Sequence, residues 1–410
     1  MARFVLLCWR DCAHPQGGGS ERYLEHVGRH LASRGHDVEF RTARYRGSAR
    51  RERSGGVTYI RGGNRLGVYP RAWAYLLRRR LFAALGREAP IDAVIDTQNG
   101  VPFFAAPFSG APTIVLTHHC HREQWPVAGP VLARIGWWTE SRLSPLVHRR
   151  RQWLTVSGPS AEELARLGVP AGNIAIVRNG VDPVPAALVP AEPAAPSDPS
   201  APPDPDGPTA PVRPPRLVVL SRLVPHKHVE DALDALAELR PEFPGLRLDV
   251  IGDGWWAEKL RERAAELGVG GDVDFHGHVS EERKHEILSG ADLHLMPSRK
   301  EGWGLAVIEA GQHGVPTIGY MHAAGLCDSV DSGRTGLLVE DLPQLVSAAR
   351  GLLSEPVRRS ALGAAARAKA ETFSWTATGD AVEWLLGEAA AGRIHAGDIA
   401  APAGGEGAEG

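Results

Sequence analysis

The sequence is sparing with the residues that would settle its class at a glance. It has four cysteines in 410 residues, Cys8, Cys12, Cys120 and Cys327. Their spacing gives neither a zinc-ligand pattern nor the framework of a small disulfide-bonded domain. Free thiols, buried or half-buried, in a reducing compartment are expected. No apolar run reaches the roughly 18–20 residues that span a bilayer, and the first residues pass straight into the strand-like Arg3–Trp9 without the layout of a secretory leader. Charge of one sign is also missing: 46 Lys and Arg stand against 48 Asp and Glu, a formal net charge of −2. That balance excludes a global basic field and with it nucleic acid as a main partner. Lysine itself is scarce, with Lys227, Lys259, Lys284, Lys300 and Lys369 set among 46 basic residues. Arginine in its place, with abundant Ala, Gly and Pro, points to a high-GC bacterial gene, and a cytoplasmic protein is the expectation.

What the chain does have is alternation. Short apolar runs and amphipathic stretches follow one another from end to end, the pattern of an α/β protein with parallel sheets. Arg3–Trp9 reads as a strand, followed by the loop Gly17-Gly18-Gly19 and a helix that Ser20 is placed to cap. His36–Thr42, Ile91–Asp96 and Thr113–Thr117 are further strands; the last two end in the polar pairs Gln98-Asn99 and His118-His119. The rhythm breaks over 183–215, which holds 13 of the 32 prolines and reads as a partly disordered insertion. It then resumes with strands at Leu217–Leu220, Leu248–Ile251, Val273–His276, Asp292–Met296 and Thr317–Tyr320. The expected organisation is a Rossmann-like domain over 1–182, the insertion over 183–215, and a second Rossmann-like domain over 216–374. A C-terminal helix over 375–390 is expected to cross back to the first domain, ahead of a disordered tail over 391–410.

The most informative stretch runs from Pro297 to Gly311. It sets Glu301 and Glu309 eight residues apart across the turn Gly302-Trp303-Gly304, between a buried strand and a helix that starts near Leu305. A helix opening at a glycine turn offers unpaired N–H groups and a positive dipole end, which suits a phosphate. Carboxylates on either side can accept from hydroxyls, and ribose, diphosphate and hexose in a row have that layout. Upstream, Arg222 and Lys227 place two positive charges on one loop, a match for the charge of a diphosphate. Gly252 in Ile251-Gly-Asp-Gly254 ends one strand, and His276 ends another in Phe275-His-Gly-His-Val279.

Together these features resemble glycosyltransferase family 4, retaining enzymes of the GT-B fold with the active site in a cleft between two domains. The resemblance covers nearly the whole chain apart from 183–215 and the tail. It implies that Glu301 sits against the donor sugar, that Glu309 holds the ribose, and that Arg222 and Lys227 hold the diphosphate. Gly252, His276, Gly304 and Leu305 would line the nucleotide pocket. Gly17, Gly18 and Gly19 would approach the diphosphate from the first domain, just ahead of a helix start. The family carries a histidine near the donor sugar, which implies His118, with His119 and His121 as alternatives. Trp303 departs from the more usual phenylalanine. Catalysis would rest on positioning and leaving-group stabilisation, with no cofactor and no metal, since no Asp-x-Asp pair follows a strand. A metal held by His118, Cys120 and His121 is the rival reading of that segment.

The expected reaction is transfer of a hexosyl group from a UDP- or GDP-sugar to a hydroxyl, with Gln98, Asn99, His119 and His121 as acceptor-side candidates. A sugar-nucleotide 2-epimerase of the same fold and a non-catalytic sugar-nucleotide binder are the alternatives. A small-molecule acceptor is placed ahead of a lipid. Peripheral membrane contact is suggested by Arg71–Glu88, where Trp73, Leu77, Leu81 and Leu85 share a face among arginines, and by the basic cluster His148–Arg151.

Overall fold

The computed structural model describes residues 1–14, 17–122, 125, 129–188 and 213–400. Most of the proline-rich insertion, residues 189–212, lies outside them, as do residues 401–410 and Pro15-Gln16 of the glycine loop. The chain forms two compact units, Met1–Gly180 with Phe373–Gly410, and Val181–Thr372. Residues 181–188 therefore cluster with the second unit rather than with the first, and Ala186–Leu188 forms a short 3-10 turn there.

The first unit is built on a sheet containing β1 (Arg3–Leu7), β2 (Asp37–Thr42), β3 (Arg51–Ser54), β4 (Val57–Arg61), β5 (Ala93–Thr97), β6 (Thr113–Leu116), β7 (Gln152–Thr155) and β8 (Ile174–Ile176). Their spatial order is β8-β7-β6-β5-β1-β2-β4-β3, all parallel except β3, which forms a hairpin with β4. Buried strands of this kind need apolar residues on both faces, and Val5, Leu6, Leu7, Val94, Ile95, Ile114, Val115 and Leu116 supply them. The helices are α1 (Gly19–Ser33), α2 (Val68–Ala84), α3 (Ala105–Ser109), α4 (Pro130–Trp138), α5 (Ser144–Val147) and α6 (Gly158–Arg166). Between α4 and α5, Thr139–Leu143 widens into a π-helical turn.

Helix α1 begins two residues earlier than a Ser20 cap would dictate. Gly18 is the N-cap, and its N–H donates to the Glu21 carboxylate at 2.8 Å.

The C-terminal helix, Trp375–Ala390, packs on α1 within this unit. Gly379 is what allows the approach: a Cβ there would stand 2.2 Å from the His30 ring. Around it, His30 and Arg34 meet Asp380, and His36 reaches Glu383 at 2.9 Å. His30, Asp380 and Glu383 bring ligand atoms within 4.8 Å of one another, but Arg34 already sets a guanidinium beside both carboxylates.

Residues 391–400 correct the expectation of a disordered tail. Gln152 donates to the His395 carbonyl at 2.8 Å and accepts from its N–H at 2.7 Å, and Gly397-Asp398 extends the sheet beside β8. Composition missed this because the anchors are backbone groups, which alanine and glycine carry as well as any residue.

Among the described residues the second unit carries six parallel strands: β9 (Arg216–Leu220), β10 (Arg247–Ile251), β11 (Val273–Gly277), β12 (Leu293–Met296), β13 (Thr317–Tyr320) and β14 (Gly336–Val339). Their order is β11-β10-β9-β12-β13-β14. Flanking helices include α7 (Glu230–Leu239), α8 (Ala257–Glu266), α9 (Glu281–Ser289) and α10 (Leu305–Gln312). Leu233, Leu236, Leu248, Val250, Leu260 and Leu295 fill one side of this core.

Both sheets reverse direction once. In the first, the chain leaves β1 for β2 and β4, then returns to β5 on the other side of β1. In the second, it leaves β9 for β10 and β11, then returns to β12 on the other side of β9. The carboxyl ends of strands at such reversals leave a crevice for ligands.

Candidate active site

In the second unit the reversal lies between β9 and β12, and the loops leaving these two strands carry Lys227 and Glu301. The two side chains form an ion pair, with the ammonium donating to Glu301 Oε1. Lys227 closes a 3-10 turn, Pro225–Lys227, while Arg222 lies exposed on the same loop. Gly304 occupies the left-handed region at φ 90° and caps α10, and a Cβ there would press within 2.9 Å of Leu326. Only glycine makes this turn at little cost. Leu305 opens the helix, and Glu309 follows one turn later, buried.

Glu309 has a partner that sequence reasoning overlooked. Lys284 on α9 is buried and donates to Glu309 Oε1 at 2.6 Å and to Glu281 Oε2 at 2.6 Å. Two of the five lysines thus engage the two motif carboxylates. One helical step further along, His285 and His313 meet at 2.8 Å between the same two helices, and burial pushes His313 down to about 4. Gly252 lies against the Ser221 carbonyl, where any side chain would collide. His276 stands at the end of β11 with Nε2 2.7 Å from Asp249, a carboxylate also held by Arg216.

In the first unit the reversal between β1 and β5 gathers the glycine loop and the polar end of β5. Glu21, fully buried, is the hub: it accepts from Arg10 Nε at 2.5 Å, Asn99 Nδ2 at 2.8 Å and the Gly18 N–H. Neither Glu21 nor Arg10 was singled out from the sequence, although a glutamate three residues past a glycine cap is a capping signal. Gly17 precedes the cap in the loop, and Gly19 is the first helical residue.

His118, just past β6, is buried against the Tyr23 ring at 5.1 Å, and both its ring nitrogens lack a hydrogen-bond partner among the described residues. Burial holds its pKa down at about 4, so the imidazole is neutral at physiological pH. The neighbouring histidines diverge from it. His121 turns to Glu140 in the π-helical turn, accepting or donating at 3.0 Å, while His119 packs on the His121 ring. Cys120 points into the hydrophobic core. Among the described residues, these three positions do not bring their ligand atoms together with those of His118. Gln98 is buried and accepts from Ser144, which opens α5, and the buried His148 caps the other end of that helix.

A cavity of about 400 Å³ opens at the carboxyl ends of β2 and β4, lined by Arg44, Arg50, Arg61 and Arg71 with Gly62 and Gly63. Arg61 is committed to Asp11 at 2.6 Å and to Glu52. The other three guanidinium groups have no ion-pair partner among the described residues.

Helix α2 presents Leu77 and Leu81 to the surface, with Leu85 just beyond its end. Trp73 leaves that exposed stripe and turns inward, donating to the Phe103 carbonyl at 2.5 Å. Among the described residues no helix is long and apolar enough to cross a membrane.

Comparison with known proteins bears on the family and the fold. The family model described as "Glycosyltransferase Family 4" matches residues 17–184, and that described as "Glycosyl transferases group 1" matches residues 203–369. A GDP-mannose-dependent alpha-(1-6)-phosphatidylinositol monomannoside mannosyltransferase of Mycobacterium tuberculosis is 28% identical over 88% of this chain and 92% of its own length. The protein of the same name from Mycolicibacterium smegmatis is 30% identical over 68% of this chain and 71% of its own. Among solved structures, a sucrose-phosphate synthase from Thermosynechococcus elongatus superposes with a TM-score of 0.72 at 20% identity, covering 95% of this chain and 99% of that one. With two parallel-sheet units, paired glutamates at one reversal and a glycine loop at the other, the chain belongs to glycosyltransferase family 4 and is a glycosyltransferase of the GT-B fold.

Proposed function

We propose that this enzyme transfers a mannosyl group from GDP-mannose to a hydroxyl of an inositol-containing phospholipid, with retention of anomeric configuration. The donor assignment and the change of acceptor order, lipid ahead of small molecule, follow the relatives named above. The observation that carries the donor side is the pair of lysine-held carboxylates around the start of α10. The arginine cavity at the carboxyl edge of the first sheet supports an acceptor that bears a phosphate.

In this reading Glu309 accepts from the ribose hydroxyls. The incoming diphosphate draws Lys227 away from Glu301, so the same event neutralises the leaving group and frees Glu301 for the hexose hydroxyls. Arg222 and the N–H groups at the start of α10 add to the stabilisation of the departing charge. His118, neutral, donates a hydrogen bond to a sugar hydroxyl without adding charge. Gly19, the first residue of α1, offers its backbone amide to the phosphates, while Gly17 and Gly18, whose own N–H groups donate to His14 and Glu21, hold the loop in place without side chains. Gln98 and Asn99 border the acceptor, and His119 and His121 lie further out. No metal is required, since the lysines and arginines supply the positive charge.

Purified protein incubated with radiolabelled GDP-mannose and phosphatidylinositol vesicles tests this. Labelled lipid is expected, with the α-anomer by NMR. Transfer from UDP-glucose but not GDP-mannose would overturn the donor assignment, and sugar-nucleotide conversion without any acceptor would favour the epimerase.

A further inference from the structure

Two arginine runs, Arg78–Arg80 within Arg71–Glu88 and Arg149–Arg151 within the cluster His148–Arg151, are some seventy residues apart. The fold brings one member of the first and two of the second to a single cavity of about 490 Å³, lined by Arg80, Arg150, Arg151 and Arg393. Its position is fixed by topology. Thr113 and Gln152 open β6 and β7, Arg80 lies in the last turns of α2, and Ala389-Ala390 end the C-terminal helix. All belong to the amino edge of the first sheet, opposite the carboxyl edge that carries His118, Asn99 and the glycine loop. The cavity is therefore separate from the candidate active site.

No Asp or Glu lines it. Arg393 is paired with Glu388, so its charge is already balanced. Arg80 donates only to the Pro107 carbonyl at 3.2 Å, its stem lying over Gly110. Arg150 and Arg151 have no ion-pair partner among the described residues. Three uncompensated guanidinium groups around one concavity repel one another in the absence of an anion. Planar guanidinium groups match phosphate oxygens in pairs. The wall opposite β7 is held in place by the Gln152–His395 hydrogen bonds, so the cavity does not depend on a loose tail.

We propose that this cavity is a second binding site, specific for a phosphate ester and distinct from the donor and acceptor sites. The ester is either a free phosphorylated metabolite or the headgroup of an anionic phospholipid. The second source is included because Leu81 follows Arg80 and Leu146-Val147 precede Arg149–Arg151, all three exposed.

The test compares the full chain with Arg150→Ala/Arg151→Ala and with Arg222→Ala as a donor-side control. One arm measures thermal stabilisation by glycerol 3-phosphate, and the other co-flotation with phosphatidylcholine vesicles with and without phosphatidylglycerol, whose anionic surface attracts basic segments. Wild type and Arg222→Ala are expected to respond in at least one arm. The double variant should respond about ten-fold or more weakly in that arm, at unchanged melting temperature without ligand. A response to glycerol 3-phosphate alone identifies a free ester, and one to phosphatidylglycerol vesicles identifies a lipid headgroup. No response in either arm, or an equal response in the double variant, would overturn the proposal. If the double variant itself unfolds, Arg80→Gln serves in its place and must weaken the same arm.

Discussion

Replacing Lys284 by methionine probes the least expected contact of the donor side. The Lys284 and Glu309 side chains are 8% and 10% exposed and meet at 2.6 Å, whereas the second partner, Glu281, is half in solvent. Methionine fills the volume of the lysine stem but leaves Glu309 buried without its countercharge. Removing one member of a buried pair costs about 3–5 kcal/mol. For a unit the size of Val181–Thr372, each kcal/mol lowers the melting temperature by about 2–4 °C. Lys284→Met is thus expected to lower the melting of the second unit by roughly 6–20 °C. The double variant Lys284→Met/Glu309→Gln removes both charges and should recover much of the loss, because a pair replaced as a whole is far less costly than a pair broken. Calorimetry of the four proteins of this double-mutant cycle supplies the coupling, expected to exceed about 3 kcal/mol because the double variant should lose less than either single one. If the two single losses simply add, Lys284 does not hold Glu309 and the donor site as described is wrong.

Three other outcomes are expected. Glu309→Ala should weaken GDP binding by about 1.5–3 kcal/mol in a calorimetric titration, while Glu301→Ala lowers kcat with GDP affinity kept; the opposite split would reverse the two roles. Lys227→Ala should lower kcat/KM about ten-fold or more, and activity should survive EDTA, so a complete loss restored by Mg²⁺ would refute the metal-free account. Acid should weaken both units. His294 and His313 in the second are held near 4 by burial, below the ordinary 6.5, so each stabilises above pH 6.5 and loses that contribution as pH falls towards 4. In the first unit His26, His118 and His148 act alike, while burial raises Asp96 to about 6, and its uptake of a proton below that pH favours the folded state and offsets about one of them. Between pH 6.5 and 5 the melting temperature of both units should therefore fall, and Asp96→Asn should change the slope of the first alone; an unchanged slope would contradict this.

Much of the architecture was legible because parallel strands buried on both faces announce themselves as short apolar runs, and Thr317–Tyr320 has the bounds its sequence suggested. The Arg51–Arg61 hairpin was not, since β3 is exposed along its length and its residues, Arg-Glu-Arg-Ser, read as loop. At the site, the spacing of Glu301 and Glu309 was visible because a glycine turn fixes it locally. Lys284 was hidden: in the run Glu-Glu-Arg-Lys it looks like a solvated helix face, and only packing of α9 on α10 buries it. The scarcity of lysine was the available clue. Glu140 escaped for a similar reason, because its burial depends on a π-helical turn that sequence periodicity does not register.

The first unit is closed by a helix that the chain supplies last, after an uninterrupted second unit. On a ribosome adding about 5–20 residues per second, roughly 10–40 s separate Gly180 from Phe373. Through that interval the slot that takes Trp375, stacked on His26 in the finished protein, stands open, and His30 and His36 wait without Asp380 and Glu383. The second unit, a single run of sequence, has no such wait. A chain ending at Thr372 and released from the ribosome should therefore carry a completed second unit behind an unfinished, chaperone-dependent first one, reversing the order in which the two were begun.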